Sequence, residues 1–174
     1  NSCKTPRMKY TGKGKKKILI IGEAPGRLED ELGEQFIGDS GTLLRNHFYD
    51  LGIDVDEDCW KTNANKCRPP SNDTPKDTQI ECCNPLLKQE LKELQPKKIF
   101  LFGMNAIKAF AKEKVPKIGP MVAWLNQYIP DEETKAWVFP NYHPSFVLRT
   151  TSDKQETRNE TIFKEILERG IAWD

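Results

Sequence analysis

The sequence has no long apolar run and no excess of charge of one sign, and both absences narrow what the protein can do. No stretch approaches the roughly 20 apolar residues that a membrane-spanning helix needs, and no signal-peptide pattern is present. The formal net charge is only +1, so contacts with a polyanion must come from local side chains or backbone amides. A chain of 174 residues with these properties is predicted to be a single soluble, intracellular, cytoplasmic domain without membrane contact.

The sequence also lacks the two common phosphate-binding loops, although one of its segments is glycine-rich. GEAPG, residues 22–26, directly follows an apolar run but lacks the G-x-G-x-x-G spacing, and no Gly-Lys-Ser/Thr follows it. Rossmann-type and P-loop nucleotide binding are therefore disfavoured. A carboxylate, Glu23, stands where such loops use backbone N–H groups, and this indicates a different chemistry.

Apolar runs alternate with helical patterns along the chain. Strands are predicted at residues 17–22, 59–65, 98–103 and 137–140. Helices are predicted at about 41–51, 76–95 and 157–169, with another through residues 106–110. The proline-rich segment 68–75 is predicted to be a loop, and NYHPS, residues 141–145, a turn. This alternation predicts an α/β layer structure with a short parallel sheet.

Polar segments follow three of the predicted strands. They are residues 22–26, the residues from Asn63 onward, and residues 141–145. Ligands of open α/β sheets bind outside the carboxyl ends of the strands, so we expect these segments to converge on one site.

Four side chains in or near these segments carry candidate chemistry, and the alternatives stay open. Glu23 could be a general base or stabilise a developing cation, or it could be a solvated loop carboxylate. His143 could donate a hydrogen bond to an oxyanion, whereas His47, on a predicted helix, is interpreted as a surface or packing residue. Asn63 could read a base edge with its amide or cap a turn. Phe36 could stack on a planar ligand or belong to the core.

Five segments, taken in order, resemble the uracil-DNA glycosylase superfamily, specifically the iron–sulfur-containing family 4. They are GEAPGRLED, EQFIGDSGTLL, TNANKCRPPSN, KKIFLFG and HPSFVLR, and they lie within residues 18–149. The resemblance implies a three-layer α/β/α fold with a short central four-stranded parallel sheet. It also implies a monomeric enzyme of prokaryotic or viral type that flips uracil out of single- or double-stranded DNA and hydrolyses its N-glycosidic bond. Neither GEAPG nor HPS contains a lysine that could form a Schiff base, so the enzyme is predicted to be monofunctional.

The resemblance assigns catalytic and base-binding roles to residues at these matching positions. Glu23 would position or activate water and face the cationic sugar, and His143 would donate to uracil O2. Asn63 would read the uracil edge and Phe36 would stack on the ring. Asn72 aligns with a family asparagine near the DNA backbone and is counted with the catalytic group. Backbone groups of the GEAPG turn, at Gly22 and Ala24, would contact the pyrimidine.

The HPSFVLR segment carries the DNA contacts that the resemblance implies. Leu148 would be the wedge that fills the vacated base stack. Ser145 and Arg149 would hold phosphate.

Five cysteines in a chain predicted to be intracellular favour metal or redox use over a disulfide framework. The resemblance implies a [4Fe–4S] cluster with Cys3, Cys67 and Cys83 as three of its ligands and a fourth cysteine upstream of Asn1. It would pin residues 1–16 to the rest of the domain. Cys82 is then spare, and Cys59 is predicted to pack a strand. A protein without a cluster, or with zinc in the same site, is the alternative.

One departure from the family pattern leaves the substrate open. The family commonly has an asparagine–arginine pair after CRPP, whereas this chain has Asn72–Asp73. An aspartate facing the DNA backbone would repel it, so either the loop is displaced or the substrate differs. A glycosylase for a hydroxymethylated or bulkier pyrimidine is therefore an alternative to a uracil enzyme. A non-catalytic, base-recognising DNA-binding module is a third possibility, although binding alone would not need both Glu23 and His143.

Overall fold

A computed structural model describes residues 7–150 and 157–173 of the chain. Its centre is a five-stranded sheet in the order β2-β1-β3-β5-β4. The strands are β1 (Ile18–Gly22), β2 (Cys59–Asn63), β3 (Lys98–Phe102), β4 (Ile129–Asp131) and β5 (Ala136–Asn141). The four longer strands are parallel to one another. β1 and β3 lie side by side in the middle of the sheet, and their side chains are largely buried. Continuous apolar runs produce these strands because both faces of a parallel sheet are covered.

The predicted sheet had four strands, and the additional strand is a correction to that prediction. β4 pairs antiparallel with β5 at the edge of the sheet, from Ile129 opposite Val138 to Asp131 opposite Ala136. It is only three residues long and contains Pro130, which has no N–H to donate. Such a short edge strand has no apolar run or alternation that sequence analysis could recognise.

Seven α-helices, together with two short 3₁₀ helices at Pro70–Asn72 and Met121–Ala123, occur in the described parts of the chain. The α-helices are α1 (Arg27–Leu32), α2 (Asp39–Asp50), α3 (Val55–Asp58), α4 (Asp77–Leu94), α5 (Met104–Ala111), α6 (Pro144–Thr150) and α7 (Arg158–Ala172). The short helices α1 and α3 were not predicted. The N-cap of α2 is Gly38, ahead of the predicted start at Gly41. Only the first part of NYHPS is non-helical, because α6 begins at Pro144, whose fixed φ suits a first helical position.

Helices cover both faces of the sheet, which confirms the three-layer arrangement. On one face Ile18, Ile20 and the phenylalanines of β3 and β5 pack against α2, α6 and α7. On the other face Leu19, Ile21 and the alternate residues of β3 and β5 pack against α4 and α5. The carboxyl ends of the four parallel strands are left at one edge, where loops can form a site. Within the described ranges, no helix is both long and apolar enough to cross a membrane.

Candidate active site

A pocket of about 230 Å³ opens at the carboxyl edge of the sheet. Its walls come from the loops after β1, β2 and β5 and from the segment between α1 and α2. Residues 22–26, Asn63 and residues 141–145 were expected to converge, and members of all three segments line this pocket. The lining includes Glu23, Ala24, Glu29, Phe36, Ser40, Asn63, Asn72, Asp73, His143 and Ser145.

Gly22, the last residue of β1, brings the backbone close to two side chains of the pocket. It lies in register with Asn63 of β2. A Cβ at Gly22 would overlap Oδ1 of Asn63 and lie 2.6 Å from the ring of Phe36. No side chain fits between these groups, so glycine is needed here.

Phe36 is held in place by its backbone as well as by its ring. Its φ is 55°, a left-handed value that is unusual for a bulky residue. Arg45 donates from Nε to its carbonyl at 3.1 Å, and its ring meets Phe102 edge-on. A Cβ at Gly41 would overlap the Phe36 carbonyl group, so the start of α2 also needs a glycine. The ring therefore forms part of the core and also one wall of the pocket.

Asn63 is buried, and its amide is anchored from behind by Gln35. Nδ2 of Asn63 donates to Oε1 of Gln35 at 2.5 Å, and Nε2 of Gln35 donates to the carbonyl of Lys9 at 3.2 Å. Gln35 is completely buried. Sequence reasoning did not identify Gln35, because its two partners lie far from it in the chain.

Glu23 is partly buried and hydrogen-bonded. Burial raises the pKa of its carboxyl above the ordinary value, while a hydrogen bond from Asn105 and the charge of Arg149 act in the opposite direction. Nδ2 of Asn105 donates to Oε2 of Glu23 at 2.9 Å. Asn105 lies just beyond β3, and the sequence analysis missed it. The available signal was its position, since β3 lies centrally in the sheet and its carboxyl end must reach the same edge.

His143 is neutral, and its tautomer is fixed by its neighbour. Burial lowers the pKa of His143 to about 4, and the charge of Arg149 acts in the same direction. The backbone N–H of Ser145 donates to Nδ1 at 3.2 Å, and the Ser145 hydroxyl lies 2.8 Å from the same atom. Because a backbone N–H can only donate, Nδ1 is the acceptor and the ring hydrogen belongs on Nε2. The ring therefore offers an uncharged N–H donor.

A wider cavity of about 470 Å³ adjoins the pocket and shares Glu23, Asn72 and His143 with it. Arg149 and Phe146 of α6 line its far side. Leu148, one position before Arg149, is 38% exposed. Helix α6 thus carries an exposed apolar side chain at Leu148 and a cation in the wider cavity at Arg149, and the predicted DNA contacts of Ser145, Leu148 and Arg149 stay predictions.

The loop that carries Asn72 and Asp73 forms the remaining rim. Asn72 has a φ of 57°, and its Oδ1 accepts a hydrogen bond from Nε of Arg68 at 2.6 Å. Asp73 is exposed and also lines the pocket. The structure thus brings Asn72 to the pocket with its side-chain oxygen already hydrogen-bonded. The guanidinium of Arg68 lies beside the segment in which the family commonly has an arginine.

Glu29 of α1 is another pocket residue that sequence reasoning missed. Its Oε1 accepts hydrogen bonds from the backbone N–H groups of Ile37 and Gly38, each at 3.2 Å. It thereby ties α1 to the segment that carries Phe36.

Two of the predicted cluster ligands lie close together in the fold. Cys67 follows β2 and Cys83 lies on α4, and both are 4% exposed. The backbone N–H of Lys66 donates to Sγ of Cys83 at 3.5 Å, which brings α4 beside the Cys67 loop. Cys3 lies outside the described residues, and within those residues no three potential ligands form a metal-binding group.

The remaining cysteines and the second histidine have other surroundings. Cys59 is completely buried in β2, as predicted, and burial raises the pKa of its thiol. Cys82 is exposed. His47 packs against Phe163 of α7, with ring centroids 5.6 Å apart, which agrees with a packing residue.

Comparisons with known proteins identify a matching family and several similar proteins. The family model of the Uracil DNA glycosylase superfamily matches residues 8–169. The Type-4 uracil-DNA glycosylase of Pyrobaculum aerophilum is 34% identical over 171 residues, which cover 92% of this chain and 86% of that protein. The protein of the same name from Sulfurisphaera tokodaii is 33% identical over 169 residues, 92% of this chain and 73% of that one. The one from Archaeoglobus fulgidus is 31% identical over 176 residues, 95% of this chain and 83% of that one.

Proposed function

The chain belongs to the uracil-DNA glycosylase superfamily, and on that basis we propose that it excises uracil from DNA in base excision repair. The reaction hydrolyses the N-glycosidic bond and leaves an abasic site. The observation that carries the proposal is a single pocket with a carboxylate, Glu23, and a neutral imidazole donor, His143, as well as the ring of Phe36 and the amide of Asn63. The pocket volume of about 230 Å³ is below the roughly 300 Å³ at which sites for drug-sized ligands begin. The pocket therefore suits a smaller ligand.

The target nucleotide must first leave the base stack. Flipping costs a few kcal/mol and is easiest for a mispaired or unpaired base. Leu148 on α6 is exposed, one position before Arg149 of the wider cavity, and would fill the space that the base vacates. Arg149 and Ser145 would hold the phosphates on either side.

Bond cleavage leaves both electrons of the C–N bond on uracil. Negative charge then develops on O2, where Nε2–H of His143 would donate. Because the imidazole of His143 is neutral, it can stabilise the charge on O2 through a hydrogen bond and keep its own proton when the base departs. Removing one such preorganised donor typically costs about 3–4 kcal/mol of transition-state stabilisation.

The sugar becomes positively charged in the same step, and Glu23 would stabilise it. Asn105 holds the carboxylate at 2.9 Å and favours its ionised form. A water oxygen then bonds to C1′ and its proton passes to Glu23, while the uracil anion takes a proton from solvent. None of the described residues that line this pocket is a lysine, which supports hydrolysis without a Schiff base.

Asn72, on the rim of the pocket, would contact the DNA backbone. We propose that Arg68, bonded to Asn72, supplies the positive charge that offsets Asp73. The interaction of Asp73 with DNA would then be less repulsive than its sequence position suggests.

We also propose that Cys67 and Cys83 hold part of a [4Fe–4S] cluster with Cys3. Both thiols are buried, and the backbone N–H of Met8 donates to the carbonyl of Lys66 at 2.7 Å, so the chain that follows Cys3 passes beside the Cys67 loop. A bound cluster would be structural and pin the N-terminal segment to α4. A fourth ligand upstream of Asn1 stays a prediction, as do the single domain, the monomeric state and the cytoplasmic location.

An excision assay tests the proposed reaction. The protein is incubated with single- and double-stranded oligonucleotides that carry uracil, hydroxymethyluracil, thymine or cytosine at one position, and alkali then cleaves abasic sites. We expect cleavage at uracil and a loss of about a hundredfold or more in His143→Ala. The matched control is His47→Ala, which removes the histidine that lies against Phe163. No product on any uracil substrate overturns the proposal.

A further inference from the structure

The amide of Asn63 has one side bonded within the protein and the other available to a ligand. One Nδ2 hydrogen goes to Oε1 of Gln35. Oδ1 lies against Gly22 and Phe36 at the pocket and accepts no hydrogen bond from the residues that the structure describes. A ligand therefore meets an acceptor, Oδ1, beside a donor, the second Nδ2–H.

The orientation of Gln35 is fixed by a group that cannot change its role. Nε2 of Gln35 donates to the backbone carbonyl of Lys9, and a carbonyl can only accept. The nitrogen of Gln35 must therefore face Lys9, and its oxygen must face Asn63. It follows that Asn63 must present its NH₂ group to Gln35.

Lys9 itself is held on both sides by the backbone. The N–H of Met8 donates to the carbonyl of Lys66 at 2.7 Å, and Thr11 exchanges two backbone hydrogen bonds with Lys61 at 2.9 and 2.8 Å. These contacts attach the segment to β2 and to the loop that follows it. The carbonyl of Lys9 thus has a defined position, and the series Lys9–Gln35–Asn63 ends on a fixed acceptor.

We propose that Gln35 is a positioning residue that gives the pocket its preference for uracil over cytosine. The inference rests on the proposed uracil excision, since it concerns the same pocket. Uracil offers N3–H as a donor next to O4 as an acceptor, which matches Oδ1 and Nδ2–H of the fixed amide. Cytosine offers the reverse, N3 as an acceptor next to the N4 amino group as a donor.

Binding cytosine in the same pose would require the Asn63 amide to turn over. Its Oδ1 would then face Oε1 of Gln35, and two buried acceptors would oppose each other. Gln35 cannot relieve this by turning, because its own oxygen would then face the carbonyl of Lys9. The loss of one buried hydrogen bond with an unsatisfied partner corresponds to a preference of about tenfold to a hundredfold.

The test compares the binding of the free bases to wild type and variants. Titrations with uracil and with cytosine, followed by ligand-observed NMR, give the ratio of the two Kd values. Gln35→Met has a similar length but removes both hydrogen bonds, so Asn63 can adopt either orientation. We expect the cytosine-to-uracil Kd ratio to fall by about tenfold or more.

Two further variants separate orientation from general damage. In Gln35→Glu the protonated carboxyl donates to the carbonyl of Lys9, and its other oxygen accepts from Nδ2 of Asn63, so we expect it to retain the preference. Thr11→Val removes the neighbouring hydrogen bond to Glu34 in the same N-terminal segment and should keep the wild-type ratio. A wild-type ratio in Gln35→Met, with the fold intact by circular dichroism, overturns the inference.

A measurement on the wild-type protein makes the test independent of whether Gln35→Met folds. In the free protein, we expect one Nδ2 hydrogen of Asn63 to be protected from exchange with solvent and the other to become protected only when uracil binds. Two hydrogens that both exchange as in a free amide overturn the inference.

The excision assay with the same protein separates the two proposals. If wild type cuts no uracil substrate but Gln35 still controls the base preference in the titrations, the proposed reaction fails and the role of Gln35 stands. If wild type excises uracil and Gln35→Met keeps its base preference, the reaction stands and the role of Gln35 fails.

Discussion

Burial acts on Glu23 and His143 in opposite directions on the pKa scale, and in both cases it favours the neutral form. The two residues differ in what their neighbours then do. Asn105 donates to Glu23 and so favours the carboxylate, whereas Ser145 donates to Nδ1 of His143 and so favours the neutral imidazole, with the charge of Glu29 as a smaller opposing effect. One pocket can therefore hold a carboxylate and an uncharged imidazole, which is the pair that the proposed reaction needs.

The pH dependence of excision follows from these two environments. With a pKa of about 4, His143 is neutral throughout the range in which an ordinary histidine titrates. We therefore expect His143 to add no inflection to the single-turnover rates on a uracil oligonucleotide in that range, and the rates to fall toward acid as Glu23 becomes protonated. Asn105→Ala removes the hydrogen bond that favours the carboxylate, so its acid limb should move to higher pH.

The control for this profile is Asn46→Ala, which changes an exposed asparagine on α2. Its profile should match that of the wild type. An inflection near pH 6.5 that stays in place in Asn105→Ala would contradict a neutral His143 and indicate an ordinary, titrating histidine.

At the scale of the elements, two glycines allow the backbone of a strand or a helix to lie directly against neighbouring side chains, with different consequences. Gly22 ends β1 against Asn63 and the ring of Phe36. Gly170 lies on α7, where a Cβ would stand 2.7 Å from the ring of Phe100 and 3.1 Å from that of Phe139. The first approach shapes the pocket, and the second seats a helix on the sheet.

These two positions predict opposite consequences of the same substitution. Gly22→Ala should lower uracil excision by tenfold or more, because the added methyl group displaces Asn63 or Phe36. Gly170→Ala should instead cost about 1–3 kcal/mol in the free energy of unfolding through overpacking, with excision by the folded protein unchanged. Thermal denaturation and single-turnover kinetics on both variants check this pair. A Gly22→Ala protein with wild-type kinetics would contradict the geometry of the pocket.

At the scale of the whole molecule, the segment before β1 connects distant parts of the fold. Within this segment, Met8 bonds to Lys66, and the carbonyl of Lys9 orients Gln35. Thr11 pairs with β2. The proposed cluster site lies at one end of this segment, and the base pocket lies beside it. Anything that anchors the segment therefore supports the pocket as well.

Cysteine variants test the cluster apart from activity. Cys67→Ser should reduce bound iron and visible absorbance and lower Tm, because a ligand that pins the N-terminal segment is lost. Cys82→Ser is the matched control, since Cys82 is exposed and is directly followed by the buried Cys83. It should keep the iron content and Tm of the wild type. Equal iron content in the two variants would remove Cys67 from the ligand set.

Much of the fold could be predicted from local patterns. β1 and β3 are apolar runs typical of strands in a sheet covered on both faces, and α4 shows its buried stripe at helical spacing. The edge strand β4 and the helices α1 and α3 were missed because three to six residues carry too little periodicity to be recognised. Tertiary contacts, and not local preference, decide such short elements.

The sequence by itself determined the four parallel strands and the three polar segments that follow β1, β2 and β5 at their carboxyl ends, because strand patterns and chain order are local properties. Only the tertiary structure decided how those residues are held. The bond between Gln35 and Asn63 joins positions 28 apart, and that between Asn105 and Glu23 joins positions 82 apart. No periodicity relates such partners. The direction of the Asn63 amide, the state of Glu23 and the tautomer of His143 depend on single hydrogen bonds and on burial, and these exist only once the chain has folded.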